Sequence, residues 1–488
     1  MRRGEAANSK SDGRESLSGE KPKRPLINGF IVVLAAAAIW FMTPPAGVTT
    51  PAWHLLAIFL GTILGLILQP LPMGATVLVA VTATIMTHTL SITDALNGYM
   101  NATVWLIVSA FLFARGLGKT GLGRRIAFVF IRSFGRRTLG LAYALGLADL
   151  VLAPGIPSGA ARTGGVLFPI VKSLASAYGS EPGPTAGRIG SFLMLSAYNI
   201  HGVTCAMFMT AMVANPLIVE LTRKLVNIEI TWIGWATAAI VPGLISFFAM
   251  PFLVLALTKP EVRETPEATK LAAAELEKMG PMRREERIVL GIFALVFILF
   301  VTGSWTELEP TAVALLGLSL MLMLGVITWD DVLAERAGWD ALIWFGGLVG
   351  MATMLGRLGL TEWFSTFVGG RLQGWPWLPV LAVLALIYLY AHYFFASLSA
   401  HTTALYAPFL TAAVAAGAPP YFAALVFAFF SSLCVSLTHY GGGPSPLYWG
   451  AGYVDVKKWW TVGFCVSLMV IVVWMGIGPF WWRMLGLF

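Results

Sequence analysis

Charged side chains are scarce in this sequence. They make up only 11% of its 488 residues, whereas 57% of the residues are hydrophobic. A soluble domain carries about 25% charged residues, so this composition excludes an ordinary soluble enzyme or binding domain. Many of the apolar runs reach roughly 18 residues or more, the length of a membrane-spanning helix and well above that of a barrel strand. The sequence therefore predicts an all-α polytopic membrane protein.

Cysteine is also rare. Cys205, Cys434 and Cys465 are scattered through apolar segments, a spacing that fits neither a disulfide framework nor a metal cluster. We expect no metal and no cofactor. The formal net charge of +8 lies mostly in loops, where it indicates membrane orientation and not a nucleic-acid partner.

Composition divides the chain into five parts. Residues 259–287 are rich in Lys, Arg and Glu and predict a cytoplasmic linker. It contains a helix over 265–279, capped by Thr265 and with Pro266 at its first position. The parts are a cytoplasmic basic tail without a secretory signal (1–25), a first helix and connection (26–52), repeat 1 (53–258), the linker (259–287) and repeat 2 (288–488).

Eleven apolar segments are predicted to span the membrane. Two of them are interrupted, the fifth near Asn199–Gly202 and the tenth at Tyr440–Pro446. The spans are 26–42, 53–68, 75–90, 101–117, 189–221, 232–257, 289–301, 311–327, 341–355, 421–448 and 459–481.

Two further segments predict re-entrant hairpins. A cytoplasmic-side hairpin over 138–178 has its tip within 154–165, and an outer-side hairpin over 375–416 has its tip at 397–402. Their arms are too short to cross a bilayer comfortably. Irregular backbone at membrane depth must line a cavity or be buried in protein, so both tips are candidate parts of a site.

The two halves share motifs in the same order. Leu117–Leu122 is echoed by Leu355–Leu360 at an offset of 238 residues (355 minus 117), and Ser158 by Ser397 at 239 (397 minus 158). Each half has an odd number of spans, so the second copy lies in the membrane in the opposite orientation to the first. Inverted repeats with discontinuous helices are typical of secondary transporters.

Each tip contains one cationic or protonatable side chain. Arg162 offers a planar fork that matches a carboxylate. Pairing with a buried acid such as Asp149, or snorkelling to the surface, is the alternative. A lone histidine such as His401 is usually a satisfied core residue, but its equivalence to Arg162 favours a role at the site.

Hydroxyl-bearing and small residues surround these two side chains. Small-residue helix packing would also explain them, but helix starts beside hydroxyls favour an anion. The candidate substrate-binding residues are Ser158, Gly159, Ala160, Arg162, Thr163, Ser397, Leu398, Ser399, His401, Thr402, Gly443, Pro444 and Ser445. Four further polar residues are expected to surround the substrate-binding residues without contacting the substrate: Asn199, His201, Asn215 and His439.

At these residues the sequence resembles the divalent anion–sodium symporter (DASS) family. The resemblance rests on Pro157–Gly165, His392–Ala404 and Thr438–Pro446, and it extends over nearly the whole chain from residue 28. It is strongest to the exchanger branch, which includes bacterial citrate/succinate and tartrate/succinate antiporters and the plastid 2-oxoglutarate/malate translocator. The resemblance implies a homodimer whose protomers have a scaffold domain and a transport domain that moves as an elevator.

The chain departs from the family's Ser-Asn-Thr motif at both tips. Ser158 and Ser397 match its serine, but Gly159 and Leu398 replace the asparagines, which help to hold sodium and substrate in the sodium-coupled branch. We therefore expect a sodium-independent exchanger of di- or tricarboxylates such as succinate, malate, 2-oxoglutarate, citrate or tartrate. Arg162 and His401 are expected to replace the coupling cations.

Two other functions stay open from the sequence. A sodium-coupled dicarboxylate symporter is the main alternative, and an intramembrane enzyme is a remote one because no metalloprotease-like histidine cluster is present. The basic loops place the N-terminus in the cytoplasm and the C-terminus outside, in a bacterial inner membrane.

Overall fold

The computed structural model describes residues 24–372 and 374–488. Within these ranges the chain is helical and contains no β-strand, only an isolated antiparallel bridge between Arg137 and Glu264. The all-α prediction is confirmed. Residues 1–23 of the predicted basic tail lie outside the described residues.

Eleven α-helices precede the linker, and four short segments of tighter or wider helix interrupt them, of which three lie at the candidate site. The α-helices are α1 (Arg24–Trp40), α2 (Thr50–Leu68), α3 (Met73–Met86), α4 (Ile92–Leu96), α5 (Ala102–Thr120), α6 (Leu122–Phe134), α7 (Thr138–Leu152), α8 (Phe168–Ala177), α9 (Gly190–Met207), α10 (Ala214–Val226) and α11 (Trp232–Thr258). The interrupting segments at the candidate site are 3₁₀ turns at Ala153–Gly155 and Met209–Ala211 and a π-helix at Ala160–Leu167.

The linker and the second half contain the remaining helices. These are α12 (Pro266–Met279), α13 (Arg284–Thr306), α14 (Pro310–Met323), α15 (Trp329–Leu333), α16 (Arg336–Arg357), α17 (Leu360–Leu372), α18 (Trp377–Ala391), α19 (Leu398–Ala415), α20 (Pro420–Leu433), α21 (Ser445–Gly450), α22 (Val456–Ile471) and α23 (Gly478–Met484). Short 3₁₀ turns follow α18 at His392–Phe394 and α20 at Cys434–Leu437.

Nine helical segments in the described ranges are long and apolar enough to cross a membrane. Three shorter apolar helices, Pro25–Trp40, Met73–Met86 and Pro310–Met323, supplement them. This establishes a multi-pass membrane protein. The count of eleven spans stays a prediction, because two of the nine segments are the first arms of the hairpins.

The helices repeat in the order that the sequence motifs suggested. Helices α14 and α15 follow α3 and α4 at an offset of 237 residues (310 minus 73), and α18 follows α7 at 239 (377 minus 138). Gly121 and Gly359 both turn the chain at φ +79°, between a long helix and the next short one. Only glycine adopts this left-handed conformation without strain, so the same turn chemistry recurs in both halves.

Charged contacts gather at one end of the bundle. Lys119, at the end of α5, lies 2.5 Å from Asp331 in α15, and Arg125 of α6 lies 2.8 Å from Glu286 at the start of α13. The Lys119 ammonium and hydrogen bonds from Thr328 lower the pKa of Asp331 to about 2. These residues belong to the segments that the sequence places in the cytoplasm, and their mutual contacts support that grouping.

Three local predictions were wrong. Helix α9 runs unbroken through Asn199–Gly202, and the interruption of this segment lies further on, at 208–213. Thr265 does not cap α12 through its side chain, because its hydroxyl donates to the carbonyl of Gly135 instead. Ser445 and Pro446 do not belong to the tenth-span break, since they open the short helix α21.

Close helix packing makes one glycine in the first half sensitive to substitution. A Cβ at Gly98 would overlap the carbonyl oxygen of Gly346 and the backbone of Gly350 in α16. We expect Gly98→Ala to lower the free energy of unfolding by about 1–3 kcal/mol, the usual cost of overpacking. Gly118→Ala is the matched control, because a Cβ there meets nothing within 4 Å. Thermal unfolding in detergent measures both, and an equal loss of stability in the two variants would contradict the argument.

Candidate functional site

The tip of the first hairpin lies between α7 and α8. The chain leaves α7 through the 3₁₀ turn at Ala153–Gly155, is extended at Ile156, and becomes π-helical at Ala160–Leu167. The prediction of an irregular tip up to residue 165 was therefore too long, because Arg162 and Thr163 already lie in helical backbone. A π-helical segment widens the turn, and such segments are frequent at functional sites.

Arg162 is fully buried and its guanidinium is surrounded by acceptors from the protein itself. Its Nε donates to Asp149 Oδ1 at 2.9 Å, and its Nη1 donates to the backbone carbonyls of Ile156 at 2.7 Å and Ala211 at 3.1 Å. Ile156 lies at the hairpin tip and Ala211 in the break after α9. The Arg162 side chain thus connects the hairpin tip to the break after α9. Its ion pair with Asp149 is the alternative to substrate binding that the sequence left open.

Asp149 is the hub of this buried cluster. Besides Arg162 it accepts hydrogen bonds from Thr163 Oγ1 at 2.8 Å and from Thr204 Oγ1. His201 Nδ1 lies 3.7 Å from the same carboxylate and within hydrogen-bond distance of both Arg162 Nη2 and Thr163 Oγ1. A buried ion pair is stable only when its remaining hydrogen-bonding groups are satisfied, and these neighbours supply that satisfaction.

The second hairpin tip is built from uncharged groups. Ser397 precedes α19, and its Oγ accepts from the amide of Ala400 at 3.4 Å, so it caps that helix. His401 is buried one turn further, with its Nδ1 3.1 Å from His392 Nδ1 and 3.5 Å from Cys434 Sγ. Tyr388 packs on the His401 ring at a centroid distance of 4.6 Å.

The repeat offset pairs these two clusters residue by residue. At 239 residues, Arg162 corresponds to His401 (401 minus 162) and Asp149 corresponds to Tyr388 (388 minus 149). The first half therefore has an ion pair where the second half has a tyrosine ring packed at a tilt against a histidine ring. The Arg162–Asp149 pair is neutral as a whole, so the first tip has a fixed cation without a net positive charge.

The loop between α20 and α21 reaches both hairpin tips. A Cβ at Gly443 would lie 3.3 Å from the backbone nitrogen of Ala160, and a Cβ at Gly441 would overlap His392. Ser445 anchors the end of this loop, since its Oγ accepts from the amide of Gly442 at 2.8 Å and lies 2.5 Å from Tyr198 Oη. Glycine is required here because backbone approaches backbone.

Burial divides the candidate residues into two groups. Ala160 and Gly443 are exposed, and Ser158, Gly159, Ser397 and Ser399 are half-buried, so these residues are accessible, and we call them the accessible strip. The other candidates are buried: Arg162, Thr163, Leu398, His401, Thr402, Pro444 and Ser445. Contact between the buried residues and a substrate stays a prediction.

Sequence reasoning underrated several residues around the tips. His201 lies inside the Arg162 cluster, and Asn215 Nδ2 donates to the carbonyls of Cys205 at 2.8 Å and Phe208 at 3.0 Å, which stabilises the break. From the sequence, His392 is only part of the hairpin motif, and Tyr388 is not a candidate. No pattern in the sequence indicates that His392 and Cys434 meet His401.

Comparisons with known proteins agree with this architecture. Residues 23–488 match the family model described as "Sodium:sulfate symporter transmembrane region". The chain is 46% identical over 474 residues to the transporter YflS of Bacillus subtilis (strain 168), which covers 97% of this chain and 99% of that protein. It is 47% identical over 454 residues to the dicarboxylate transporter 1, chloroplastic, of Arabidopsis thaliana, covering 92% and 81% of the two chains.

A solved structure shares the fold. The YdaH transporter of Alcanivorax borkumensis superposes with a TM-score of 0.54 at 13% sequence identity, over 95% of this chain and 97% of that one. The relatives are named as transporters, which agrees with the function class inferred from the hairpins and the repeat. The chain thus belongs to the divalent anion–sodium symporter family, represented by the sodium:sulfate symporter model, and is a membrane transporter and not an enzyme.

Proposed function

We propose that this protein exchanges dicarboxylates, such as succinate, malate and 2-oxoglutarate, across a bacterial inner membrane without sodium. Tricarboxylates such as citrate are candidate substrates as well. A relative that is 47% identical is named a dicarboxylate transporter, which favours this substrate class. The substrate binds at the accessible strip of Ser158, Gly159, Ala160, Ser397, Ser399 and Gly443.

The observation that carries the proposal is the convergence of both hairpin tips on the loop after α20. Gly443 lies against Ala160 of the first tip, and Gly441 lies against His392, which ends the first arm of the second hairpin just before its tip. Helix α19 begins directly after Ser397, so its free amides and positive dipole end lie next to the accessible hydroxyls. Hydroxyls and helix starts together suit the two carboxylates of a short diacid.

Arg162 explains why sodium is not needed at the first tip. A coupling cation would be held by oxygen atoms, and the carbonyls of Ile156 and Ala211 and the carboxylate of Asp149 are already occupied by the guanidinium. This cation is attached to the chain and does not leave with the substrate. A sodium gradient then cannot drive transport through this tip, because no sodium ion binds there. Because the Arg162–Asp149 pair is neutral as a whole, Arg162 acts by holding the tip in place. The accessible strip, and not Arg162, contacts the carboxylates of the substrate.

Obligatory exchange follows from the cost of returning empty. Hydroxyl and amide groups that bind a carboxylate are left without partners when the site crosses the apolar layer, at about 1–3 kcal/mol for each buried group. An extra barrier of 1.4 kcal/mol slows a step about tenfold. In the elevator arrangement that the family resemblance implies, the domain holding both hairpins makes this crossing, and the protein is a homodimer.

Uptake into proteoliposomes tests the proposal. Labelled succinate, 2-oxoglutarate and citrate are offered to vesicles that are either empty or preloaded with unlabelled acid, each with and without sodium. We expect uptake into preloaded vesicles to be faster by about tenfold or more, with no response to sodium. Vesicles without protein are the control.

A sodium-coupled symporter is the competing function, and the description of the matching family model favours it. It predicts uptake into empty vesicles that rises with external sodium. That result would mean that other backbone carbonyls at the tips still form a cation site, and that Arg162 does not replace the coupling ion.

A further inference from the structure

Two histidines and a cysteine meet beneath the tip of the second hairpin. His392 Nδ1 lies 3.1 Å from His401 Nδ1, and His401 Nδ1 lies 3.5 Å from Cys434 Sγ. The three donor atoms lie within 4.8 Å of one another, and all three residues are buried. The sequence had suggested that the cysteines form no metal cluster, but it could not show that two histidines from another helix pair reach Cys434.

Two of the three separations, those that involve His401, match the edges of a tetrahedron around a zinc ion. With Zn–N distances of about 2.0–2.1 Å and a Zn–S distance of about 2.3 Å, tetrahedral geometry separates two nitrogens by about 3.3 Å and a nitrogen from a sulfur by about 3.6 Å. The observed separations, 3.1 and 3.5 Å, each lie within 0.2 Å of those values. Imidazole and thiolate are also the ligand types that zinc prefers.

The remaining nitrogens of the two rings are consistent with a metal site. Within the described chain, His392 Nε2 and His401 Nε2 are buried and have no hydrogen-bond partner. When Nδ1 binds a metal, Nε2 becomes a donor, and His392 Nε2 faces the backbone of Gly441. Metal-bound histidines usually donate that N–H to a neighbouring acceptor.

The first half of the chain has different side chains at the corresponding positions. The residue that corresponds to His401 is Arg162, whose guanidinium is paired with Asp149 and has no free lone pair for a metal ion. His201 and Cys205 lie beside that guanidinium, with Cys205 Sγ accepting from Arg162 Nη2 at 3.3 Å. Replacement of the arginine by a histidine in the second half removes the built-in cation and adds a metal ligand. The first half thus carries its cation on a side chain, whereas the second half has to bind a metal ion.

We propose that His392, His401 and Cys434 form a zinc-binding site that locks the second hairpin. His392 ends the first arm of the hairpin, His401 lies on the second arm, and Cys434 follows α20. An ion held by all three ties the tip to the broken span and prevents it from moving away. Bound zinc therefore stops transport.

Binding to the purified protein tests the site directly. Zinc is titrated into the full chain in detergent, and cobalt is used as a spectroscopic probe, since a thiolate ligand produces a sulfur-to-cobalt charge-transfer band. We expect one ion per chain and that band. Cys434→Ser is expected to remove the band and to weaken zinc binding about 100-fold or more, a loss at least as large as that of an outer-shell partner. His392→Gln is expected to weaken binding as well.

Cys465→Ser is the matched control, because Cys465 is a half-buried cysteine outside the cluster. It is expected to keep both the band and the affinity. Size-exclusion chromatography verifies that each variant is folded. The site is excluded if the wild-type protein binds no stoichiometric zinc, or if Cys434→Ser binds it as tightly as the wild type.

The predicted block of transport rests on the proposed exchange function and is measured separately. Zinc added to proteoliposomes is expected to stop succinate exchange in the wild type and to be reversed by a chelator, while Cys434→Ser stays active. Zinc binding without inhibition would confirm the site and overturn the lock. A failure of exchange itself, with zinc absent, would instead count against the proposed function.

Discussion

Replacement of Arg162 by methionine is expected to lower the free energy of unfolding by about 3–5 kcal/mol and to abolish exchange. The change leaves the buried carboxylate of Asp149 without its cation, and breaking one partner of a buried ion pair has this cost. It also frees the carbonyls of Ile156 and Ala211, which the guanidinium holds together across the tip and the break. Thermal unfolding in detergent and succinate counterflow measure the two effects.

A double variant separates the structural role of Arg162 from its role in transport. In Arg162→Met/Asp149→Leu both charges are absent, and replacing a buried ion pair by apolar residues is often neutral for stability. We expect this variant to regain most of the lost stability but not exchange, because no group then joins the tip to the break. Wild-type exchange in the double variant would show that the ion pair serves folding alone, and that Arg162 does not take the place of a coupling cation.

Substitution of Gly159 by alanine is expected to reduce exchange by roughly 100-fold while the protein stays folded. Gly159 has φ −60° and ψ −34°, which alanine adopts freely, so the effect comes from space alone. A Cβ there would overlap the ring of His201 and lie 3.5 Å from Pro444 Cδ. Relief of the overlap with His201 displaces the tip and with it the contact to Pro444 in the loop after α20. A displacement of about 1 Å at a positioned site costs on the order of 100-fold in rate.

Gly165→Ala is the control for this prediction. Gly165 lies in the same hairpin, and the one atom near a Cβ there is the Ala160 carbonyl oxygen at 3.8 Å, an ordinary contact. Initial rates of succinate exchange at matched protein density compare the two variants with the wild type. If Gly159→Ala exchanges as fast as Gly165→Ala, the substrate does not depend on close packing between the tip and the loop.

The helical architecture could be predicted because it depends on local chemistry. Long apolar runs with few charges have to be helices at membrane depth, and the matching motifs at 117–122 and 355–360 revealed the repeat before any helix was placed. The same turn glycines, Gly121 and Gly359, then occur with the same φ in the structure. The linker helix, predicted over 265–279 and observed over 266–279, could also be predicted, since its proline start and charged composition are local signals.

The breaks in the spans were harder to predict. A polar stretch in the sequence indicated an interruption at Asn199–Gly202, but α9 continues through it. Asn199 donates to the carbonyl of Leu195 one turn earlier in the same helix, and His201 contacts the Arg162 cluster. The real interruption at 208–213 contains no glycine to signal it. Asn215 and Arg162 stabilise this break by binding its carbonyls, and neither contact can be inferred from spacing.

The sequence by itself determined the membrane class, the internal repeat, the two hairpins and the family, because periodicity, composition and short motifs are properties of neighbouring residues. Only the tertiary structure decided how the side chains at the tips are used. It paired Arg162 with Asp149, 13 residues earlier, and brought Cys434 to His401, 33 residues before it. A buried charge or ligand takes whichever partner the packing of distant helices provides, so its partner is settled by the fold.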